Sequence, residues 1–239
     1  MHWVVGDVQG CAREFEDLLR AIRFDAGRDR LVSVGDLVNK GPDSAAALRL
    51  WRDAGGVAVI GNHDVYALCA RSGRQARREN DTLDALFDAP DADELLGALR
   101  ALPVLLWLDV PDGAGTWVVH AGLHPHWTDL DAAAERLNAG AHDDDWLLRT
   151  EVTFATRVRS CTADGLLSER VGPPEIYVDP YRPWNELYTG EARVAHGHWA
   201  HRGHYRAGRV IGLDSGCCYG RELTAWCVEE DRVVSVPAR

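Results

Sequence analysis

The first seventy residues repeat one unit three times: a short apolar run, a glycine-containing loop and an amphipathic helix. Residues 3–5 read as a strand, GDVQG (6–10) as a loop and 12–23 as a helix. Residues 31–34, GDLVNKGP (35–42) and 44–53 repeat the pattern, with Gly55 stopping the helix. Residues 57–60, GNHD (61–64) and a following helix make the third unit. Short β-branched runs alternating with helices predict βαβ units and a parallel sheet. Right-handed crossovers then bring all three loops to one sheet edge, where open α/β sheets bind ligands.

The remainder is less regular. Asp91 and Glu94 have capping-box spacing ahead of an apolar helix that ends near Pro103. Residues 104–110 and 117–120 flank the turn DGAG (112–115) and predict a hairpin. Residues 128–183 are mixed, partly helical and charged, which predicts an insertion beside the sheet. Strands resume at Val194, at 210–214 and over 223–236. With no internal repeat or linker, one domain over 1–239 is expected.

The 239 residues suffice for a large core, and the formal charge of −11 argues against a broad nucleic-acid surface. No apolar run approaches the roughly 20 residues that span a bilayer. Met1 leads almost directly into an apolar strand, so no signal peptide is expected. The six cysteines lack Cys-x-x-Cys spacing, which fits reduced thiols in a cytoplasmic protein.

Metal-ligand residue types stand at successive strand ends: Asp7 with Gln9, then Asp36, then Asn62, His63 and Asp64. Two later runs end in His120 (VVHAG) and His198 (AHGHW). One such Asp is usually a turn or helix cap; five in order point to a metal centre. His196, two residues before His198, would share its side of an extended strand and lie behind the ligands at best. His2, His124, His126, His142, His201 and His204 have no such placement.

GDVQG, GDLVNKG, GNHD, HAG and GHW together resemble the calcineurin-like metallophosphoesterases, in their phosphoprotein-phosphatase branch. GDVQGC, GDLVNKGPDS, APDADELL, HAGLHP, TRVRSC and LDSGCCYG bring nearly the whole chain closest to the symmetrical bis(5′-nucleosyl)-tetraphosphatases. The resemblance implies a β-sandwich of two mixed sheets flanked by helices, four α/β/β/α layers, with a partly helical cap at 128–183. It implies hydrolysis of diadenosine tetraphosphate to two ADP. Asp36 would bridge two divalent ions, Asp7 and Gln9 completing one site and Asn62, His120 and His198 the other. His63 would protonate the leaving oxygen, with Asp64 beside it in the catalytic motif. Lys40, Arg157 and Arg159 would bind the polyphosphate, the two arginines facing one side of a strand at i and i+2.

Three positions depart from that pattern. Gln9 replaces a histidine, leaving one site with oxygen ligands only, which suits Mn²⁺ (or Mg²⁺ and Co²⁺) over Zn²⁺. Asn39 replaces an aspartate that orients the catalytic histidine. Lys40 replaces an arginine and is the sole lysine of the chain; it keeps the charge and loses bidentate geometry. Trp184, Trp199 and Tyr219 are candidates to stack on adenine, with core packing the competing role. Cys217 and Cys218 read as a tight loop beside the metals. A protein serine/threonine phosphatase or broad phosphomonoesterase shares these metals, and a non-catalytic nucleotide sensor is the reading from another class. The same pocket would accept RNA 5′ ends capped with dinucleoside polyphosphates.

Overall fold

A computed structural model describes residues 1–111, 115–140 and 142–239. The strands are β1 (His2–Val5), β2 (Arg30–Ser33), β3 (Val57–Ala58), β4 (Leu105–Leu108), β5 (Thr116–Val119), β6 (Ser160–Cys161), β7 (Arg182–Pro183), β8 (Arg193–His196), β9 (Tyr205–Ala207), β10 (Val210–Gly212), β11 (Glu222–Cys227) and β12 (Arg232–Pro237). The helices are α1 (Ala12–Ala21), α2 (Ser44–Asp53), α3 (Asn62–Arg71), α4 (Asp84–Phe87), α5 (Ala92–Arg100), α6 (Leu130–Asn138), α7 (Asp144–Leu147), α8 (Thr150–Arg157) and α9 (Trp184–Leu187).

Two five-stranded mixed sheets carry the architecture, in the orders β12-β11-β1-β2-β3 and β4-β5-β8-β10-β9. In the first, β1, β2 and β3 run parallel; in the second, β5, β8 and β10 do. Strand periodicity splits the core in two. Val4, Val32, Val118, Ala195, Ile211 and Trp226 share one apolar cluster fed by both sheets, the layer between them. Their neighbours Trp3, Val5, Leu31, Trp117, Val119, Val194 and Val210 join a second cluster with the helices. Each fully buried valine contributes about 1.5–3 kcal/mol of transfer free energy, so a one-residue slip of register would exchange the two layers. The result is the expected sandwich with helices outside.

The N-terminal units fold as the pattern predicts, with α2 capped by Asp43 and ending before Gly55. GNHD differs: Asn62 already opens α3, so the motif is a helix N-terminus. Asp91 does cap α5 by position, yet its carboxylate makes no capping bond. It pairs with Arg49 of α2 instead, at 2.5 and 2.9 Å. β4 and β5 pair antiparallel, Leu105 opposite Val119; the expected turn falls largely on residues outside the described ones. The last run is two strands, β11 and β12, paired with each other. Between 128 and 183 lie α6, α7, α8 and the small β6–β7 ladder. No helix among the described residues is long and apolar enough to cross a membrane.

Candidate active site

All six parallel strands end at one place. Their C-terminal ends deliver Asp7 after β1, Asp36 after β2, Asn62 after β3, His120 after β5, His198 after β8 and Asp214 after β10. Bonds within and between the sheets hold these ends together: Gly197 N–H donates to the His120 carbonyl at 2.8 Å inside the second sheet, and the His120 ring donates across to the Val34 carbonyl of the first at 2.8 Å. The approach is close enough that a Cβ on Gly197 would fall on the Asp7 carboxylate, and one on Gly61 on that of Asp36.

The backbone is strained here. Gln9, Asp36, Asn39, Lys40 and His198 all have positive φ, between 46° and 75°. Non-glycine residues rarely occupy this region, and such strain collects at functional sites. It also corrects the strand reading of AHGHW. The chain leaves β8 at His196, and His198 turns over at φ 67°. His196 points elsewhere, bonding the Tyr205 hydroxyl at 2.7 Å.

The electrostatics call for cations. Asp7, Asp36 and Asp214 are at most 4% exposed. Burial, then the neighbouring charges of Asp214 and Asp36, pushes Asp7 well above the usual carboxylate range. Burial also pushes Asp36 up to about 7 and raises Asp214. Burial has the opposite effect on the histidines, lowering His120 to about 4 and His198 well below its ordinary value, so both rings are neutral.

Hydrogen bonds then fix their tautomers. The Val34 carbonyl can only accept, so His120 carries its proton on Nδ1 and leaves Nε2 bare. That bare nitrogen faces Asn62 Oδ1 at 3.1 Å and Asp36 Oδ1 at 3.4 Å. Three electron-rich atoms converge, with no proton among them once Asp36 is ionised, which is the arrangement a metal ion satisfies. Asp7, Asp36 and His120 present ligand atoms within 4.8 Å of one another. His198 Nε2 donates to the Arg157 carbonyl at 3.0 Å, leaving Nδ1 free to ligate. The donor set of carboxylates, amide oxygen and neutral imidazole fits a divalent ion.

Gln9 lines the same cavity and bonds two of its neighbours. Its Nε2 donates to Asp36 Oδ2 at 3.2 Å, and its Oε1 accepts the Cys218 thiol at 2.7 Å. Asp64 is not a partner of His63. Its carboxylate accepts the backbone N–H groups of Asp36, Leu37 and Gly61 at 2.8–2.9 Å, tying the second loop to the third. The group bonded to His63 Nδ1 is Asn39 Nδ2, at 2.9 Å.

The arginine pair is corrected as well. Arg157 ends α8, and Arg159 follows it outside any strand, so the i, i+2 strand argument does not apply. Both are half-buried, and Arg159 lines the catalytic cavity. Arg159 Nη2 donates to the His198 carbonyl at 3.2 Å; its Nε is buried without a hydrogen-bond partner among the described residues. Burial and the charges of Lys40, Arg78 and Arg157 lower His63 to about 3, which puts Lys40 and Arg157 within its field.

The sequence reading missed Asp214 and Arg78. Asp214 sits at the end of an apolar run, the same signal that identified Asp7 and Asp36. It was hidden inside LDSGCCYG, a motif read as a loop. Arg78 lies in a charged stretch, RRE, with no pattern to single it out. Trp184 and Trp199 are buried core side chains, 1% and 2% exposed, whereas Tyr219 lies open at the cavity, 59% exposed. All six thiols are free. A larger cavity of about 610 Å³, between Trp127, Asp129, Tyr188 and Glu191, contains none of these strand-end residues.

The sequence profile of the calcineurin-like phosphoesterases matches residues 2–214. The symmetrical bis(5′-nucleosyl)-tetraphosphatase of Aromatoleum aromaticum is 37% identical, the match covering 99% of this chain and 96% of that one. That of Nitrosospira multiformis is also 37% identical, over 97% and 94%. A crystal structure described as a candidate diadenosine tetraphosphatase superposes with a TM-score of 0.75 at 32% identity, over 100% of this chain and 93% of that one. A protein serine/threonine phosphatase from Saccharomyces cerevisiae shares the fold, with a TM-score of 0.56 at 13% identity. The chain belongs to the calcineurin-like phosphoesterase family.

Proposed function

We propose that this calcineurin-like phosphoesterase hydrolyses diadenosine tetraphosphate, and related dinucleoside polyphosphates, symmetrically to two ADP. The names of its full-length relatives support the substrate. One feature of the site carries the chemistry: a bare His120 nitrogen faces Asp36 and Asn62, beside an arginine Nε with no partner among the described residues. Members of this family work with divalent ions, and Asp7, Asp36, Asn62, His120 and His198 would hold them, with Asp214 adding charge. Manganese is the proposed metal, because most of these donors are hard oxygens. When bound, two such ions supply Lewis-acid stabilisation to the phosphoryl oxygens and the attacking water.

The protein's own groups do the rest. Water oxygen joins one central phosphorus, and the bond from that phosphorus to the bridging oxygen breaks. His63 donates a hydrogen bond from Nε2–H to that oxygen as it leaves as the terminal phosphate oxygen of ADP, and the proton lost by the attacking water passes to solvent. Lys40, Arg78 and Arg157 surround His63 and neutralise the departing half, while Arg159 binds the half that is attacked. Gln9 orients Asp36. The pocket would serve equally for dinucleoside-polyphosphate caps on RNA, and the proposed setting is the cytoplasm. The whole chain is proposed as one domain, with 128–183 as its cap.

Incubation with diadenosine tetraphosphate and Mn²⁺, followed by chromatography, tests this. ADP as the sole product is expected. AMP with ATP would overturn symmetrical cleavage. Turnover of phosphopeptides without turnover of the dinucleotide would move the chain to the phosphatase reading.

A further inference from the structure

The catalytic cavity encloses only about 100 Å³. That is room for a phosphoryl group and several waters, each of which needs about 10–15 Å³ of such space. Pockets that bury drug-sized ligands run to about 300–1,000 Å³. A substrate with two adenosines must therefore leave its bases on the rim.

The rim is uneven. Among the residues that line the cavity, Tyr219 and Val171 are large apolar side chains left open, 59% and 62% exposed. Among the described residues no ring lies against Tyr219. The turn that carries the ring is nevertheless held firmly. Tyr219 ends the 3-10 turn Cys217–Tyr219, which left-handed glycines bracket at Gly216 (φ 73°) and Gly220 (φ 79°). Gly216 N–H donates to Asp214 Oδ1 at 3.0 Å, and the Cys218 thiol reaches Gln9. The turn is thus tied to two residues of the phosphate cavity. An exposed aromatic side chain on a fixed turn beside the phosphate cavity suits a nucleobase, since stacking accepts any base.

We propose that Tyr219 is the platform on which one adenine of the substrate stacks, with Val171 on the cavity's edge beside it. The proposal rests on the dinucleoside tetraphosphate reading.

Tyr219→Ala and Tyr219→Trp test it, in the manganese-loaded enzyme. For Tyr219→Ala, KM for diadenosine tetraphosphate should rise roughly tenfold, a change of ~1.4 kcal/mol; kcat should fall by less than that. Ki for ADP should rise in step, Ki for inorganic pyrophosphate should shift less than about twofold, and Tyr219→Trp should restore both affinities. Equal weakening of ADP and pyrophosphate would overturn the platform, showing that the turn only shapes the phosphate cavity. Unchanged KM and Ki would overturn it too. The inhibition comparison is read on whichever phosphoester the wild type hydrolyses, so it decides the platform even where wild-type products contradict symmetrical cleavage.

Discussion

Asn39 Nδ2 donates to His63 Nδ1 at 2.9 Å, and the direction of that bond is fixed by the rest of the amide. Asn39 Oδ1 already accepts two backbone N–H groups, from Lys40 at 2.8 Å and Thr82 at 3.1 Å. The NH₂ end must therefore face the ring, and Nδ1 must be the accepting nitrogen. The single proton of neutral His63 then sits on Nε2, the nitrogen left for the cavity. An aspartate at position 39 would do the reverse, drawing a proton onto Nδ1. Asparagine here sets the ring up as a neutral hydrogen-bond donor toward the leaving oxygen.

Removing either partner should therefore cost the same step. His63→Ala is expected to lower kcat by about 10²–10³, the usual scale of losing one hydrogen-bond donor to developing charge. Asn39→Ala should lower kcat by roughly tenfold or more with little change in KM. In the double variant the losses should not add, because residues in one hydrogen-bonded pair are coupled. Additive losses in steady-state kinetics would separate Asn39 from His63.

Metal binding should release protons near neutral pH. Without metal, burial holds Asp36 at about 7 and Asp7 higher than usual, so below that pH a metal ion must displace carboxyl protons. Affinity should fall as pH drops through 7, by roughly tenfold per unit for each proton displaced. The histidines add nothing there, since His120 sits near 4 and His198 well below its ordinary value. Calorimetric titration of Mn²⁺ in buffers of different ionisation enthalpy checks this. Proton release should be clear at pH 6 and smaller at pH 8; no release at pH 6 contradicts the assignment.

Gln9→His should tighten metal binding. The wild-type amide bonds Asp36 and Cys218, whereas an imidazole would add a nitrogen donor to an oxygen-rich set. Apparent affinity for Mn²⁺ should rise roughly tenfold, the scale on which a metal's surroundings tune it, and Zn²⁺ should gain more. Activity in chelator-buffered metal solutions measures both. An unchanged preference would place Gln9 wholly outside the coordination.

Most of this site was legible because βαβ units send their loops to one edge. Asp7, Asp36, Asn62, His120 and His198 each end an apolar run, and strand direction alone gathers them. Contacts between the two sheets were not legible. His120 against Val34 spans 86 positions and the His198 bond to Asp7 spans 191, and no local pattern encodes either. Extended-strand logic failed at His196 and at Arg157–Arg159, because the chain leaves regular structure there through positive φ or a helix end. Asp64 was misread for a similar reason. Its neighbour His63 suggested catalysis, while its partners are backbone groups, which a sequence does not display.

That assignment of Asp64 yields the last prediction. Its two oxygens accept three backbone N–H groups, from Asp36, Leu37 and Gly61, and the carboxylate is fully buried. An amide has one acceptor oxygen, and its NH₂ would face another donor. Asp64→Asn therefore leaves at least one buried N–H unsatisfied, at a cost of about 1–3 kcal/mol. The loss falls on the loop that holds Asp36, so metal binding should weaken along with stability. Urea unfolding of the metal-free protein should show the lower midpoint, and titration of Mn²⁺ the lower affinity. A catalytic Asp64 would give another pattern: full stability and full metal affinity with a depressed kcat.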